Sequence, residues 1–327
     1  MSIPDLSISI VNTSNWKFLE PCINSIYKST KSISYEILVV DNASTDGSLE
    51  KIKKFFPEII LSINNKKYGF AKNNNINIKK STGRYLMLLN DDTIVLDKSL
   101  EKAIAYLDNN PKVGMLGCKM INPDGTIQYT SGRQFDTLLS TFFLETGLIN
   151  RFSIFKYFST SIIEKNGYNS ICEIDLPQES GMIIKNEIIK EVGLLDEDFF
   201  MFGEGIDWCR RIKKTGLDII YFPESPIIHF GGETNKKMSV NMYLQHYKSL
   251  YIYFKKVNLL SGMIYRFMIF SIYLCKYLIE MLVIILRSGD RTRNIEILKE
   301  YKALLKLLIF RLNDDSYPFP TYKKIIE

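Results

Sequence analysis

Two adjacent carboxylates close an apolar run in "YLMLLNDDT", Tyr85 to Thr93. Asp91 and Asp92 repel each other, so keeping them together at the end of a buried segment calls for something that neutralises them. A hard divalent cation, Mg2+ or Mn2+, does this: it prefers carboxylate oxygens and usually shares its shell with phosphates. The plainer reading of Asn90-Asp91-Asp92 is an Asx turn in which Asp92 caps the segment after it. Asp41-Asn42 opens a similar cluster, "DNASTDG", after the run "YEILVV". A carboxylate there can accept from a base or ribose, and the same residues also make a good turn and helix start. "YGFAKNNN" supplies Gly69, where backbone can approach a phosphate, and free amides at a helix start. It is neither a GxGxxG nor a P-loop.

Glu204 and Asp207 in "FGEGIDWCRR" are three apart, which puts both carboxylates on one face of a helix. One of them could take a proton from an alcohol; alternatively, both complement the dipole of a first helical turn. His229 in "PIIHFGG" is one of two histidines and precedes two glycines, a loop position open to a ligand role or to structural packing. His246, among "YLQHYKSLYIYF", reads as helix packing.

These residues need elements to position them. "LSISIV", "YEILVVD", "EIILSIN", "RYLMLL" and "VGMLGCKM" read as five strands, the second with the continuous β-branched content of burial on both faces. Helix-like segments alternate with them: "FLEPCINSIY" with Asn15 as its cap, "STDGSLEKIKKFF", a polar loop running into a helix at "GFAKNNNINIKKST", and "SLEKAIAYLDNN". Alternation of this kind predicts an α/β fold with a mostly parallel sheet and right-handed crossovers. Ligands bind such sheets beyond the carboxyl ends of the strands, and the polar clusters Asn12-Thr13, Asp41-Asn42 and Asp91-Asp92 all fall there. The stretch 122–170 is irregular and aromatic-rich, and order returns from Leu176. From Met238 to Leu312 the pattern is helical, with Phe267–Leu286 its most apolar part.

The chain has 327 residues, 46% of them hydrophobic and 24% charged, which suits a globular protein with a sizeable core and excludes a disordered one. A net charge of +6 fits an anionic ligand or membrane surface and does not call for nucleic acid. Five cysteines, far apart and with no CxxC pair, suit unpaired thiols in a reducing compartment. "MSIPDLSISIVN" lacks the charged, apolar and small-residue regions of a signal peptide, so the expected location is cytoplasmic.

The order of the motifs says more than any one of them. "SISIVNTSN", "EILVVDNASTDGS", "YGFAKNNN", "LLNDDT", "GLLDEDFFMFGEGIDWCRRIKKTGLDIIYFPES" and "IIHFGGET" together resemble the family-two inverting glycosyltransferases of the GT-A fold. The nearest look is to the bacterial rhamnosyltransferase-like branch that builds surface polysaccharides. The resemblance covers residues 5–235. It implies a Rossmann-like GT-A domain over 1–237, with a donor half to about 120 and an acceptor half after it, followed by a C-terminal helical extension over 238–327.

Carried over position by position, the resemblance implies that Thr13 and Asn15 meet the nucleotide. Asp41 contacts the base, with Asn42 beside it. Gly69, Phe70, Ala71 and Asn74 match the loop over the donor. Asn90-Asp91-Asp92 stands in place of the metal-binding DxD, with Asp92 the first-choice ligand for Mg2+ or Mn2+. His229 matches the late histidine that completes metal or diphosphate binding, and Arg211 the arginine that ends the acidic-helix motif. One departure is serious. The family often has Glu-Asp in that motif, the aspartate being taken as the base, and this chain has Glu204-Gly205. Glu204 or Asp207 must then do the work, and Asp207 is preferred because helical spacing keeps it in the cleft with Glu204.

The expected donor is a nucleoside-diphosphate sugar, dTDP- and UDP-linked forms being equally compatible and rhamnose favoured by resemblance alone. The expected acceptor is a glycan or lipid-linked alcohol. A sugar-phosphate nucleotidyltransferase would share the sheet and carboxylates. It would carry a glycine-rich basic loop after the first strand, where this chain has "NTSNWKFLEP". A degenerate, non-catalytic sugar-nucleotide-binding module is kept open by Gly205. Phe267–Leu286 is 20 residues long, near a bilayer span, but carries Lys276 and Glu280, which can pair at i,i+4 and are expensive in lipid. With Lys255, Lys256, Arg266, Arg287, Arg291 and Arg293 around it, this region reads as an interfacial helix at the inner face of the cell membrane or as a homodimer contact, in preference to a true span.

Overall fold

Strand β1 (Leu6–Asn12) lies between β2 (Tyr35–Asp41) and β4 (Tyr85–Asn90), parallel to both, and β3 (Ile60–Ile63) adds to β2 in parallel. β1, β2 and β4 are rich in Ile, Leu and Val and mostly buried, as expected of parallel strands covered on both faces. The computed structural model describes residues 3–151, 167–231, 240–286 and 292–314. Gly232, Glu233 and Thr234 of the last motif, Met238, and Arg287 and Arg291 of the basic flank lie outside them.

Beyond β4 the sheet becomes mixed. With β5 (Thr93–Val95), β6 (Val113–Ile121), β7 (Gly132–Arg133), β8 (Cys172–Glu173), β9 (Leu176–Pro177), β10 (Gly181–Lys185) and β11 (Asp218–His229), the order is β3-β2-β1-β4-β10-β6-β11-β5, with β8 also on β11. β10 runs antiparallel to both neighbours, β6 and β11 are parallel, and β5 closes the edge antiparallel to β11. β7 and β9 form a separate ribbon. The resulting α/β architecture, mostly parallel with an antiparallel insertion, agrees with the expected fold class.

Helices α1 (Trp16–Ser29), α2 (Ser48–Phe55), α3 (Phe70–Ile78) and α4 (Ser99–Asn109) connect the early strands. The apolar faces of α1 and α4 (Leu19, Ile23, Ile26; Leu100, Ala103, Ile104) share one core with Ile8, Ile10, Val39, Met87 and Leu89. α3 is unusual because it buries asparagines. Asn77 Nδ2 donates to Ser9 Oγ (3.0 Å), Ile10 O (3.2 Å) and Leu38 O (3.1 Å), tying the helix to β1 and β2. All five cysteines are free thiols.

By contacts the chain divides into two compact units. The first holds residues 1–135, 161–200 and 204–236, and the second 136–160, 201–203 and 237–327. The second is helical in its described parts, including Leu138–Glu145, Val240–Val257, Leu259–Leu286 and Thr292–Lys306. Its interior is organised around Glu145, whose carboxylate accepts from Tyr247 Oη (2.9 Å) and Tyr273 Oη (2.7 Å). Lys276 lies 3.9 Å from Glu145 instead of pairing with Glu280, because the buried carboxylate is the stronger attraction; Glu280 accepts from Asn294. His246 packs edge-on against Phe202, at 6.0 Å. The helix Leu259–Leu286 is long and apolar enough to cross a membrane by length and composition, and most of it is exposed.

Candidate active site

The parallel register sets Asn12 opposite Asp41 and Val11 opposite Asn90, so the polar clusters after β1, β2 and β4 emerge at one edge. Asn12, fully buried, ties the first two together. Its Nδ2 donates to Asp41 Oδ2 (3.2 Å) and Ser44 Oγ (2.9 Å), and its Oδ1 accepts from the Asn15 N–H (3.2 Å). Asp41 is held further by the Ser44 N–H (3.1 Å) and is 1% exposed. Asn42 clamps the segment before α3: its Oδ1 accepts from the Tyr68 N–H (2.8 Å), and its Nδ2 donates to Tyr68 O (3.1 Å) and Thr13 Oγ1 (3.2 Å).

Asn15 occupies the N-cap position of α1, as expected, but makes no capping bond with its side chain. It donates instead to the Asp91 carboxylate, which also receives the Thr13 N–H. Burial, and after it the negative charge of Asp92, push the Asp91 carboxyl up to about 7 against those two bonds. The pairing of His229 with Thr93 across β11 and β5 brings the imidazole to the same place. His229 Nε2 is 3.3 Å from Asp92 Oδ1 and 3.4 Å from Asn90 Nδ2. On the other side of the ring, Nδ1 lies 2.9 Å from both Gln128 Oε1 and Gln178 Nε2, and Gln128 Nε2 donates to His229 O (2.8 Å).

Asp41, Asn12, Asn15, Asp91, Asp92 and His229 thus form one connected polar path across the strand ends. Among the described residues no three His, Cys, Asp or Glu side chains make a ready metal cage. The residues present still fit a divalent ion of the Mg2+ or Mn2+ type. Asp92 and His229 offer an oxygen and a nitrogen side by side, and the crowded Asp91-Asp92 pair is the kind of charge a cation relieves. Such ions usually take the rest of their shell from phosphate and water.

Several expected site residues are engaged elsewhere. Arg211 spends its guanidinium on Asp207 (Nε, 2.8 Å), Val192 O and Leu194 O (Nη2, 2.8 Å), so it staples the preceding loop. Asp207 is the other half of that ion pair and its side chain is 18% exposed. The preferred candidate for the base is therefore held by an arginine. Glu204 is fully buried at the start of the helix Glu204–Lys214. Ala71 is fully buried and Asn74 bonds Ser9 Oγ (2.8 Å) and Phe70 O (3.1 Å), so both serve the packing of α3 on the sheet and not a cleft. At Gly69 a Cβ would sit 2.3 Å from Phe200 O, which accepts the Phe70 N–H at 2.9 Å. Gln128 and Gln178 went unnoticed in the sequence because neutral amides carry no spacing signal, and Glu179 because it is a lone acid in a short loop.

Comparison with known proteins fits this geometry. The chain is 24% identical over 228 residues to N-acetylglucosaminyl-diphospho-decaprenol L-rhamnosyltransferase of Mycobacterium tuberculosis, covering 66% of this chain and 73% of that protein. It is 23% identical over 241 residues to the O-antigen biosynthesis protein RfbC of Myxococcus xanthus, covering 69% of this chain and only 17% of that protein. The mannosyltransferase PcManGT from Pyrobaculum calidifontis, solved in complex with GDP-Man and Mn2+, shares the GT-A fold with a TM-score of 0.54 at 15% identity, over 94% of this chain and 71% of that one. Residues 7–171, half of the 327, match Glycosyl transferase family 2, and the chain belongs to that family.

Proposed function

We propose that the chain is an inverting, metal-dependent glycosyltransferase. It moves a sugar, rhamnose or another hexose, from a dTDP- or UDP-linked donor to a hydroxyl of a glycan or lipid-linked acceptor in bacterial surface polysaccharide synthesis. The observation that carries this reading is the meeting of Asp92 Oδ1 and His229 Nε2 at 3.3 Å beside the raised Asp91. An anionic diphosphate is the natural occupant of such a strand-end site on an α/β sheet.

The chain's own residues divide the work. Asp92 and His229, with Asp91 beside them, would hold the Mg2+ or Mn2+ ion, which when bound supplies Lewis-acid stabilisation of the departing diphosphate. Gln128 and Gln178 keep the imidazole turned. Thr13 and Asn15 position Asp91, and Asp41 and Asn42 shape the nucleotide end. The transition state has oxocarbenium character, as in glycoside hydrolysis.

The transferase domain is assigned to 1–237 and the helices after it to membrane contact or self-association. Leu259, Leu260, Met263, Phe267, Leu278 and Leu282 are all exposed on the long apolar helix, which suits a peripheral position at the inner membrane face and a lipid-linked acceptor.

The test is a panel of dTDP- and UDP-sugars with a polyprenyl-diphosphate-linked acceptor, with Mn2+ or with EDTA. Release of nucleoside diphosphate together with glycosylated product, lost in EDTA, is the expected result. Pyrophosphate formation from a nucleoside triphosphate and a sugar phosphate would overturn it in favour of nucleotidyl transfer. Donor binding with no product would make the chain a binding module.

A further inference from the structure

The position at which the acidic motif lacks a side chain is not empty space. A Cβ built on Gly205 would fall 2.1 Å from Glu179 Oε1 and 2.6 Å from its carboxyl carbon. The Glu179 carboxylate, from the loop before β10, therefore fills the volume into which a residue-205 side chain would project. The Gly205 N–H donates to it at 3.1 Å.

The surroundings of Glu179 tie it to the strand-end site. The preceding residue, Gln178, contacts His229 Nδ1 at 2.9 Å. The next one, Ser180, accepts the Asn90 N–H through its carbonyl at 3.4 Å. Glu179 is thus flanked on both sides by contacts to the Asn90–Asp92 and His229 centre. Arg133 of β7 favours its ionised form, and the Cys209 thiol, one turn along the helix from Gly205, lies within its field. Of the other acids in the motif, Asp207 is bound by Arg211 and Glu204 is fully buried.

We propose that Glu179 is the catalytic base of this chain, supplying from the β9–β10 loop the carboxylate that Gly205 cannot. The assignment rests on the glycosyl-transfer reading above. In the step, the ionised carboxylate takes the proton of the acceptor hydroxyl. The acceptor oxygen forms its bond to the anomeric carbon, the bond from that carbon to the diphosphate oxygen breaks, and the electron pair leaves on the nucleoside diphosphate. Glu179 ends protonated and returns its proton to water. Burial raises its carboxyl to about 7, which keeps it basic enough to accept a proton, half ionised at that pH and increasingly ionised above it.

The experiment compares the full chain with Glu179→Gln, Glu179→Ala, and the double variant Glu179→Ala/Gly205→Asp. It reads transfer rate at saturating donor, affinity for the sugar nucleotide by calorimetry, and melting temperature. Glu179→Gln should lose about 10²–10⁴-fold in transfer rate, the usual worth of a positioned base, while donor affinity holds. The double variant should regain at least about tenfold over Glu179→Ala, because the new aspartate occupies the vacated volume. A Gln variant that melts like the wild type and transfers within a few-fold of it overturns the assignment and leaves the transferase reading standing. If the Gln variant does not fold, the double variant decides: folded and active supports the swap, folded and inactive refutes it. A wild-type chain that turns over none of the donors removes the transferase reading, and this assignment with it.

Discussion

Burial that makes Glu179 a competent base should also make it a cost to the fold, and the size of that cost can be worked out. Its carboxyl is raised from an ordinary 4.5 to about 7, first by burial, with the Gly205 N–H and Arg133 acting in the opposite direction. Between those values the native state binds more protons than the unfolded chain, so stability falls as pH rises. The penalty is absent below about pH 4.5 and complete above about pH 7, where it approaches ~3 kcal/mol. That is an upper bound, because part of the side chain still meets solvent. Glu179→Gln keeps the shape and an acceptor oxygen for the Gly205 N–H but never ionises. The variant should therefore match the wild type near pH 4 and become more stable as pH rises, by up to about 5–10 °C in melting temperature for a unit of this size. Thermal unfolding of both proteins from pH 4 to pH 8.5 measures it. Two curves that run parallel across that range would show that Glu179 ionises in the native state as it does in water, and the burial argument would fail.

Other perturbations test separate parts of the site. Asp92→Ala should reduce transfer by orders of magnitude and abolish the Mn2+-dependent rise in melting temperature given by a sugar nucleotide; near-normal transfer would remove Asp92 from the ion. Asp207→Asn should leave the turnover rate within a few-fold of wild type while lowering the melting temperature, because its carboxylate serves the Arg211 staple; collapse of transfer in a protein that melts normally would restore it as the base. Gly69→Ala puts a methyl 2.3 Å from Phe200 O, a backbone atom that cannot swing away, and should cost about 1–3 kcal/mol in urea unfolding. Leu278→Asp with Leu282→Asp should abolish co-sedimentation with anionic vesicles while leaving the sheet unit's melting unchanged; a wild-type chain that ignores such vesicles would end the membrane reading.

The strands β1, β2 and β4 could be read almost to the residue because parallel strands buried on both faces are rich in Ile, Leu, Val and Met, and the polar Asn12, Asp41 and Asn90 end them. The site edge could be read for the same reason, since those polar residues are the strand ends. Partner choice was harder to see. Asn15 fits an N-cap by type and position, yet its side chain makes no capping bond and serves Asp91 instead. Asp207 and Glu204 share a helix face by spacing, but Arg211 at i+4 captured Asp207. "GFAKNNNINIKKST" read as a polar loop running into a helix, yet its asparagines are buried, and Asn77 donates to carbonyls of β1 and β2. The insertion of β10 between β4 and β6, antiparallel to both, depends on pairings distant in sequence that no local pattern encodes. That insertion is what delivers Glu179 to the site.

The Glu204-Gly205 departure looks different once volume replaces sequence order as the measure. A base is defined by where its oxygen lies and what surrounds it, and neither property belongs to one position in the chain. Gly205 and Glu179 are 26 residues apart, yet they share one space: a side chain at 205 would have to move the Glu179 carboxylate aside. The two positions must therefore be strongly non-additive. Gly205→Asp alone brings a second carboxylate into a filled, half-dry site and should destabilise the chain, whereas the same change beside Glu179→Ala should be accommodated. A glycine in the acidic motif then reads as half of an exchange whose other half lies in the loop before β10, and not as the mark of a dead enzyme.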